Sequence, residues 1–220
     1  MAPLIPKTSL VRMAYPCHPV ALKSGFKVVP ELDSHHRLIT LSGMGLPSHP
    51  VDARVGWSER GLVVTVTLSG KTHPARGDTA SPWLSDGVTV WLATRPVAGS
   101  RRANTFCHVF HLLPTGGGEE RLDPVMLQGK VPKALEDAPR SPTGSVLFRS
   151  RLTRDGFDLG AVFTSSALHG FDPAETNRLG FLLRVHDLER GAWMSGADEE
   201  LPYAEDPQWW DFLELQKRKV

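Results

Sequence analysis

The chain has 220 residues, and its 25 Lys and Arg against 24 Asp and Glu leave a net charge of +1, which excludes the basic footprint of a nucleic-acid or anionic-membrane partner. Two cysteines, Cys17 and Cys107, exclude a disulfide framework and an all-cysteine zinc site. No apolar run approaches the roughly 18 residues of a membrane span, and the stretch around 10–15 is too short and broken for a secretion signal, so a cytoplasmic protein is expected (secreted or periplasmic if the true start lies upstream).

Residues 1–48 are irregular and hold Cys17, His18, His35 and His36; they are expected to form an N-terminal extension packed along a domain spanning 49–220. A short stretch at 38–41 suggests an edge strand. From residue 51 the pattern becomes period-2, with Val51, Ala53, Val55 and Trp57 alternating with Asp52, Arg54 and Gly56. The turn Ser58-Glu59-Arg60-Gly61 follows, and Leu62, Val64, Val66 and Leu68 share one face of the returning strand. Further strands are predicted at 88–93, 105–113, 145–152, 157–163 and 179–185, with Thr153-Arg154-Asp155-Gly156 joining two of them as a second hairpin. Short helical turns are expected near 132–137 and 172–176. Pro and Gly collect in 43–50, 70–82, 114–118 and 124–142, which read as loops. The pattern predicts an all-β protein, an antiparallel β-sandwich of jelly-roll type with long Pro/Gly loops.

Signatures of catalysis are missing. There is no Gly-x-Ser-x-Gly, no phosphate loop, no dinucleotide fingerprint and no His-Glu-x-x-His, and the acids fall into no recognisable pair, so no enzyme is expected. His108 and His111 lie on one predicted strand at a spacing that points them to opposite faces, so they cannot chelate one ion together. Asp86, Asp187, Asp198 and Asp206 lie near loop ends, where oxygen ligands for a structural calcium would be found, but they form no EF-hand pattern.

The six Trp against two Tyr carry more information. Trp57 and Trp91 sit inside strands and are assigned to the core. Trp209 and Trp210 are adjacent, so one is expected to face inward and the other outward. Trp83 follows Pro82 at the mouth of a loop, and Tyr203 follows Pro202 in an acidic loop. Such loop aromatics are either binding platforms beside a rigid sheet or plugs at the end of the sandwich. A ring that buries half of its 150–250 Å² against a sugar gains roughly 2–3 kcal/mol gross, so two such rings offset part of the association cost and leave millimolar to micromolar affinity.

The ordered segments VDARVGWSERGLVVTVTLSGK, SPWLSDGVTVWLATRP, FCHVFHLLP, GFDLGAVFTSSALHGFDP, RLGFLLRVHD and EDPQWWDFLEL resemble the family 9 carbohydrate-binding modules over about three quarters of the chain. More narrowly they look like an uncharacterised bacterial branch of that family. The resemblance implies an antiparallel β-sandwich that binds a mono- or oligosaccharide without catalysis. Classical members clamp a terminal sugar between two Trp rings. Trp83, just before Ser85-Asp86, matches the first, whereas Tyr203 is the aromatic nearest the second. The implied ligand-binding residues are therefore Trp83, Tyr203, His108, His111 and Asp86. No cofactor is expected beyond a structural calcium of the kind some members hold. Two alternatives stand beside the sugar reading: a haem-binding electron-transfer sandwich using Met126, Met194 or His108, and an interaction scaffold that has lost the sugar site.

Overall fold

The computed structural model describes residues 12–23, 25–38, 50–96, 99–196 and 201–217. The strands in chain order are β1 (Ala14–Pro19), β2 (Val51–Ser58), β3 (Gly61–Leu68), β4 (Gly87–Ala93), β5 (Cys107–Gly117), β6 (Asp123–Gln128), β7 (Val146–Thr153), β8 (Gly156–Thr164), β9 (Arg178–Asp187), β10 (Gly191–Met194) and β11 (Asp211–Leu215). Three short 3-10 turns, Ser34–His36, Pro82–Leu84 and Pro207–Trp209, are the helical elements of the described residues. The architecture is all-β, as the alternation predicts.

The strands follow one path, β6-β5-β4-β9-β11-β1-β2-β3-β8-β7, folded into two layers. A front sheet runs from β6 to β1 and a back sheet from β1 to β7, with β10 pairing to the free half of β9. All pairings are antiparallel except those of β1. Its first half, Ala14–Cys17, lies parallel to β11, and His18 and Pro19 then lie parallel to β2. The chain before residue 49 therefore contributes the strand that joins the two layers and is more than an extension laid on them. Among the described residues after β1, Val29 and Leu32 cover Val63 and Val162 on the outer face of the back sheet. Of the predicted 38–41 edge strand, Arg37 makes an isolated bridge to Arg54 and Leu38 donates to Ala53 O, while 39–41 lie outside the described residues.

Two other departures have local causes. Residues 123–128, read as loop because of Pro124, form β6; the strand is at the sheet edge, where proline costs no central ladder bond. β5 continues to Gly117 through a register shift after Leu113, so most of 114–118 is strand as well. Residues 132–137 make only a turn, through Ala134 N to Val131 O, and 172–176 make one through Thr176 N to Asp172 O.

Between the layers, β2 and β3 contribute Val51, Ala53, Val55, Leu62, Val64, Val66 and Leu68, all in one core with Phe157, Leu159 and Phe163 of β8. From the front sheet come Val88, Val90, Leu92, Phe110, Leu112, Phe181 and Leu183. Trp193 of β10 also faces this core, and Trp57 is half-buried at its margin with Nε1 donating to Gln216 O. Gly61 closes the first hairpin at φ +141°, where a Cβ would strike Phe163 O, so glycine is required there.

The alternate residues of the front sheet point away from that core but are not exposed. Trp91, Ala93, Cys107, Val109 and Leu182 form a second apolar cluster under the loops that carry Trp83, Tyr203, Trp209 and Trp210. This covered outer face is where the candidate site lies.

Candidate functional site

Strand register arranges the outer face of the front sheet in rows. Thr89 of β4 pairs with His111 of β5 on one side and Arg184 of β9 on the other, giving a polar row. Two residues along β4, Trp91 pairs with Val109 and Leu182, giving an apolar row. The side-chain alternation of a strand makes this juxtaposition automatic once the register is set.

Trp83 sits over the boundary between the rows. Its ring centroid is 5.5 Å from Trp91 with the planes inclined at 42°, and 4.7 Å from His111, edge to face at 73°. The ring is partly buried. Tyr203 packs on Trp91 edge to face at 5.5 Å and 88°, and Trp210 Nε1 donates to Tyr203 O at 2.8 Å. Trp210 is fully buried and Trp209 half-buried against the same cluster. The indole N–H groups of Trp91 and Trp209 are buried here without a hydrogen-bond partner.

The Trp83 loop is closed by its own polar groups. Asp86 N donates to Arg76 O at 2.8 Å, and Arg76 N returns a bond to Asp86 Oδ2 at 2.8 Å, stapling the two stems. Inside the loop Asp78 N donates to Ser85 Oγ, Ser85 Oγ donates to Ser81 O, and Leu84 N donates to Ser81 O. Pro82 then sets the first residue of the 3-10 turn that carries Trp83, its fixed φ favouring that turn. The platform is thus an ordered turn.

The structure distributes the sequence-named residues unevenly. Trp83 and His111 are brought together. His111 is buried, its Nδ1 lies 3.0 Å from Thr89 Oγ1, and burial followed by the Arg184 charge lowers its pKa to about 4, so the ring is neutral near pH 7. Tyr203 is on the same face but only 9% exposed, packed against Trp91 and not standing across an open groove from Trp83. His108 points to the opposite, inter-sheet side, beside Phe110, with Nε2 3.3 Å from His169 O. Burial lowers its pKa to about 4 as well. Asp86 is fully buried, and both its oxygens are engaged by protein donors.

The calcium and haem candidates can be placed in the same way. Asp86 and Asp187 converge, but on Lys71 Nζ, at 3.0 and 2.8 Å; the position a cation would take between them is filled by the ammonium group, so these residues do not fit a calcium ion. Asp206 caps the 3-10 turn at Pro207–Trp209 by accepting from Gln208 N, and Asp198 lies outside the described residues. Among the described residues no group of three or more His, Cys, Asp or Glu side chains is arranged to hold a metal. For haem, Met126 packs on the inter-sheet core and Met194 in the outer cluster, so with His108 they do not converge on one pocket.

Sequence reasoning missed Arg184, Thr89 and the contribution of Trp91 and Trp209 to this face. The pairing of 88–93 with 179–185 would have revealed the first two, because it sets Thr89 beside Arg184. Adjacent Trp209 and Trp210 precede β11 in a 3-10 turn, so strand alternation does not divide them between core and surface.

The two layers make a β-sandwich of the kind seen in solved carbohydrate-binding modules. The particular fold is that of the family 9 modules. Over 94% of this chain and 95% of its own, a family 9 carbohydrate-binding module from Caldicellulosiruptor kristjanssonii in complex with cellotriose superposes with a TM-score of 0.64 at 12% identity. A family 9 module from the same organism in complex with glucose superposes with a TM-score of 0.61 at 13% identity, over 95% and 97% of the two chains. No protein-family model matches the sequence, and no curated protein matches it.

Proposed function

We propose that the protein is a non-catalytic carbohydrate-binding module that stacks a sugar ring on Trp83. The observation that carries this reading is the partly buried Trp83 ring, fixed on a closed loop above the Thr89–His111–Arg184 row. An aromatic face beside hydrogen-bonding groups suits the amphipathic faces of a sugar. His111 acts beneath the platform as a wedge against Trp83, and the half-buried Arg184 and His186 follow one another along the same outer face of β9. The solved neighbours of the same fold that hold cellotriose and glucose support the choice of ligand class.

Isothermal titration against glucose, cellotriose and a panel of other mono- and oligosaccharides tests the proposal. Binding in the millimolar to micromolar range that disappears in Trp83→Ala is expected. A silent panel overturns it.

One observation favours a second reading. Tyr203 fills the space beside Trp91, so the two-ring clamp of classical members is not reproduced by this pair. An interaction module that uses the Trp83 face for a protein partner accounts for that packing, and it is the reading left standing by a silent sugar panel.

A further inference from the structure

The least ordinary electrostatic feature of the molecule lies behind the Trp83 loop. Lys71, in the segment after β3, has a side chain only 1% exposed. Its Nζ lies 3.0 Å from Asp86 Oδ1, 2.8 Å from Asp187 Oδ1 and 3.2 Å from Glu189 Oε1. Asp86 and Asp187 are as deeply buried, and Glu189 is 21% exposed. A lone buried ammonium is expensive; one surrounded by three carboxylates that are themselves hydrogen-bonded is not.

The carboxylates are indeed saturated. Asp86 accepts from Leu188 N and Arg76 N, Asp187 from Glu189 N and Arg190 Nε, and Glu189 from Thr72 N, Thr72 Oγ1 and His73 N. Lys71 N is itself anchored to Asp155 O in the β7–β8 turn. Burial alone would lower the Lys71 pKa, but the bonds to Asp187 and Asp86 outweigh it and hold the group above its ordinary value.

These bonds connect the β9–β10 turn, the segment after β3 and the stem of the Trp83 loop. Asp86 is the shared member: one oxygen meets Lys71, and the other staples Arg76 and so closes the loop whose 3-10 turn carries Trp83. We propose that Lys71 is a positioning residue for the Trp83 platform, holding Asp86 in place from behind the loop without touching a ligand. This rests on the carbohydrate reading for its functional meaning, but the placement of Trp83 is measurable without a sugar. Without the ammonium, three carboxylates face one another at contact distance, and the exit of Asp86 releases the Arg76 stem.

Lys71→Met keeps the straight stem and removes the charge. The wild type and variant are labelled with 6-fluorotryptophan, the Trp83 fluorine resonance is assigned through Trp83→Phe, and both proteins are titrated with glucose and cellotriose. The result expected is a near-wild-type circular dichroism spectrum, a displaced or broadened Trp83 resonance with the resonance of Trp57, at the opposite end of the β2–β3 hairpin, unmoved, and affinity at least tenfold weaker. An unmoved Trp83 resonance with wild-type affinity overturns the proposal and leaves the sugar reading standing. If the wild type binds neither sugar, the sugar reading is in trouble but the Trp83 resonance still decides: displaced supports the positioning role, unmoved overturns it. Should Lys71→Met fail to fold, Asp86→Asn, which keeps an acceptor for Arg76 N while weakening the pair, is read by the same resonance with the same two outcomes.

Discussion

Trp83 rests edge to face on His111 at 4.7 Å, so the partly buried ring of the loop is supported by a buried, neutral imidazole of the sheet. Support of this kind keeps an aromatic platform in one orientation before a ligand arrives and reduces the ordering cost of binding.

Trp83→Ala is expected to remove binding while leaving the fold. Losing about 2 kcal/mol of stacking weakens affinity roughly 30-fold or more. Tyr203→Ala is expected to behave in the opposite way. Its ring is packed into the outer cluster against Trp91, so truncation costs about 3 kcal/mol of stability by opening a cavity. Titration calorimetry and urea denaturation on the two variants separate these effects. Equal losses of affinity, or a stability cost for Trp83→Ala as large as for Tyr203→Ala, would contradict the assignment.

The two histidines set an acid limit on stability. Both side chains are buried, and burial lowers each from 6.5 to about 4. In the unfolded chain they take up protons near 6.5, whereas in the folded protein they resist until about 4. Their contribution is therefore complete above pH 6.5 and is lost as the pH falls from 6.5 to 4, by about 3 kcal/mol for each. His108→Phe, at a position where the ring already lies parallel to Phe110, is expected to remove most of the fall of the urea midpoint between pH 6.5 and 4.5, because Asp211 opposes the histidine that remains. An unchanged slope would show that His108 titrates normally.

What sequence could and could not reveal divides along chain separation. Both hairpins were legible because a glycine-bearing turn and a two-residue period act within a few residues, as at Gly61 and Gly156. Trp83 was legible for the same reason, through Pro82 and the strand that follows. β1 was not, because a strand holding Pro16 and Pro19 pairs in parallel with strands far along the chain and has no turn to announce it. Lys71 was illegible too: its partner Asp187 is 116 positions away, and an isolated lysine between glycine and threonine reads as solvated loop. The separation of His108 from His111 followed from period 2 alone, but which of them faces the aromatic loops depends on register.

Asp211 works against the histidines. This buried carboxyl accepts from Met13 N at 2.7 Å and lies 3.3 Å from Tyr15 Oη, and burial raises it from 3.8 to about 6. An acid whose folded pKa exceeds its unfolded one favours the folded state while protonated. Its effect is to destabilise as the pH rises from about 4 to 6, by about 3 kcal/mol in full. Asp211→Asn keeps an acceptor for Met13 N and removes the charge, so it is expected to raise the melting temperature at pH 7.5 and to leave it nearly unchanged at pH 4. With two histidines opposing one aspartate in the same window, the wild type should still lose stability on acidification. A drop at pH 7.5 would mean that the Asp211 charge is stabilising in place.

The loop itself can be displaced without altering Trp83 or Lys71. At Gly77 an added Cβ would meet Thr115 O at 1.9 Å and Thr115 C at 2.6 Å, both backbone atoms of β5 that cannot swing aside. Gly77→Ala must therefore lift the segment next to Arg76 off the sheet edge, at a cost of about 1–3 kcal/mol typical of overpacking. Because Asp86 ties Arg76 to the far stem, the displacement passes to the turn bearing Trp83. Sugar affinity is expected to fall by tenfold or more together with the melting temperature. In a Trp83→Ala background the same substitution should still lower the melting temperature but find no affinity left to remove. If Gly77→Ala instead preserves affinity while destabilising the protein, the loop closes over the sheet independently of its stem, and Trp83 is held by His111 and Trp91 alone.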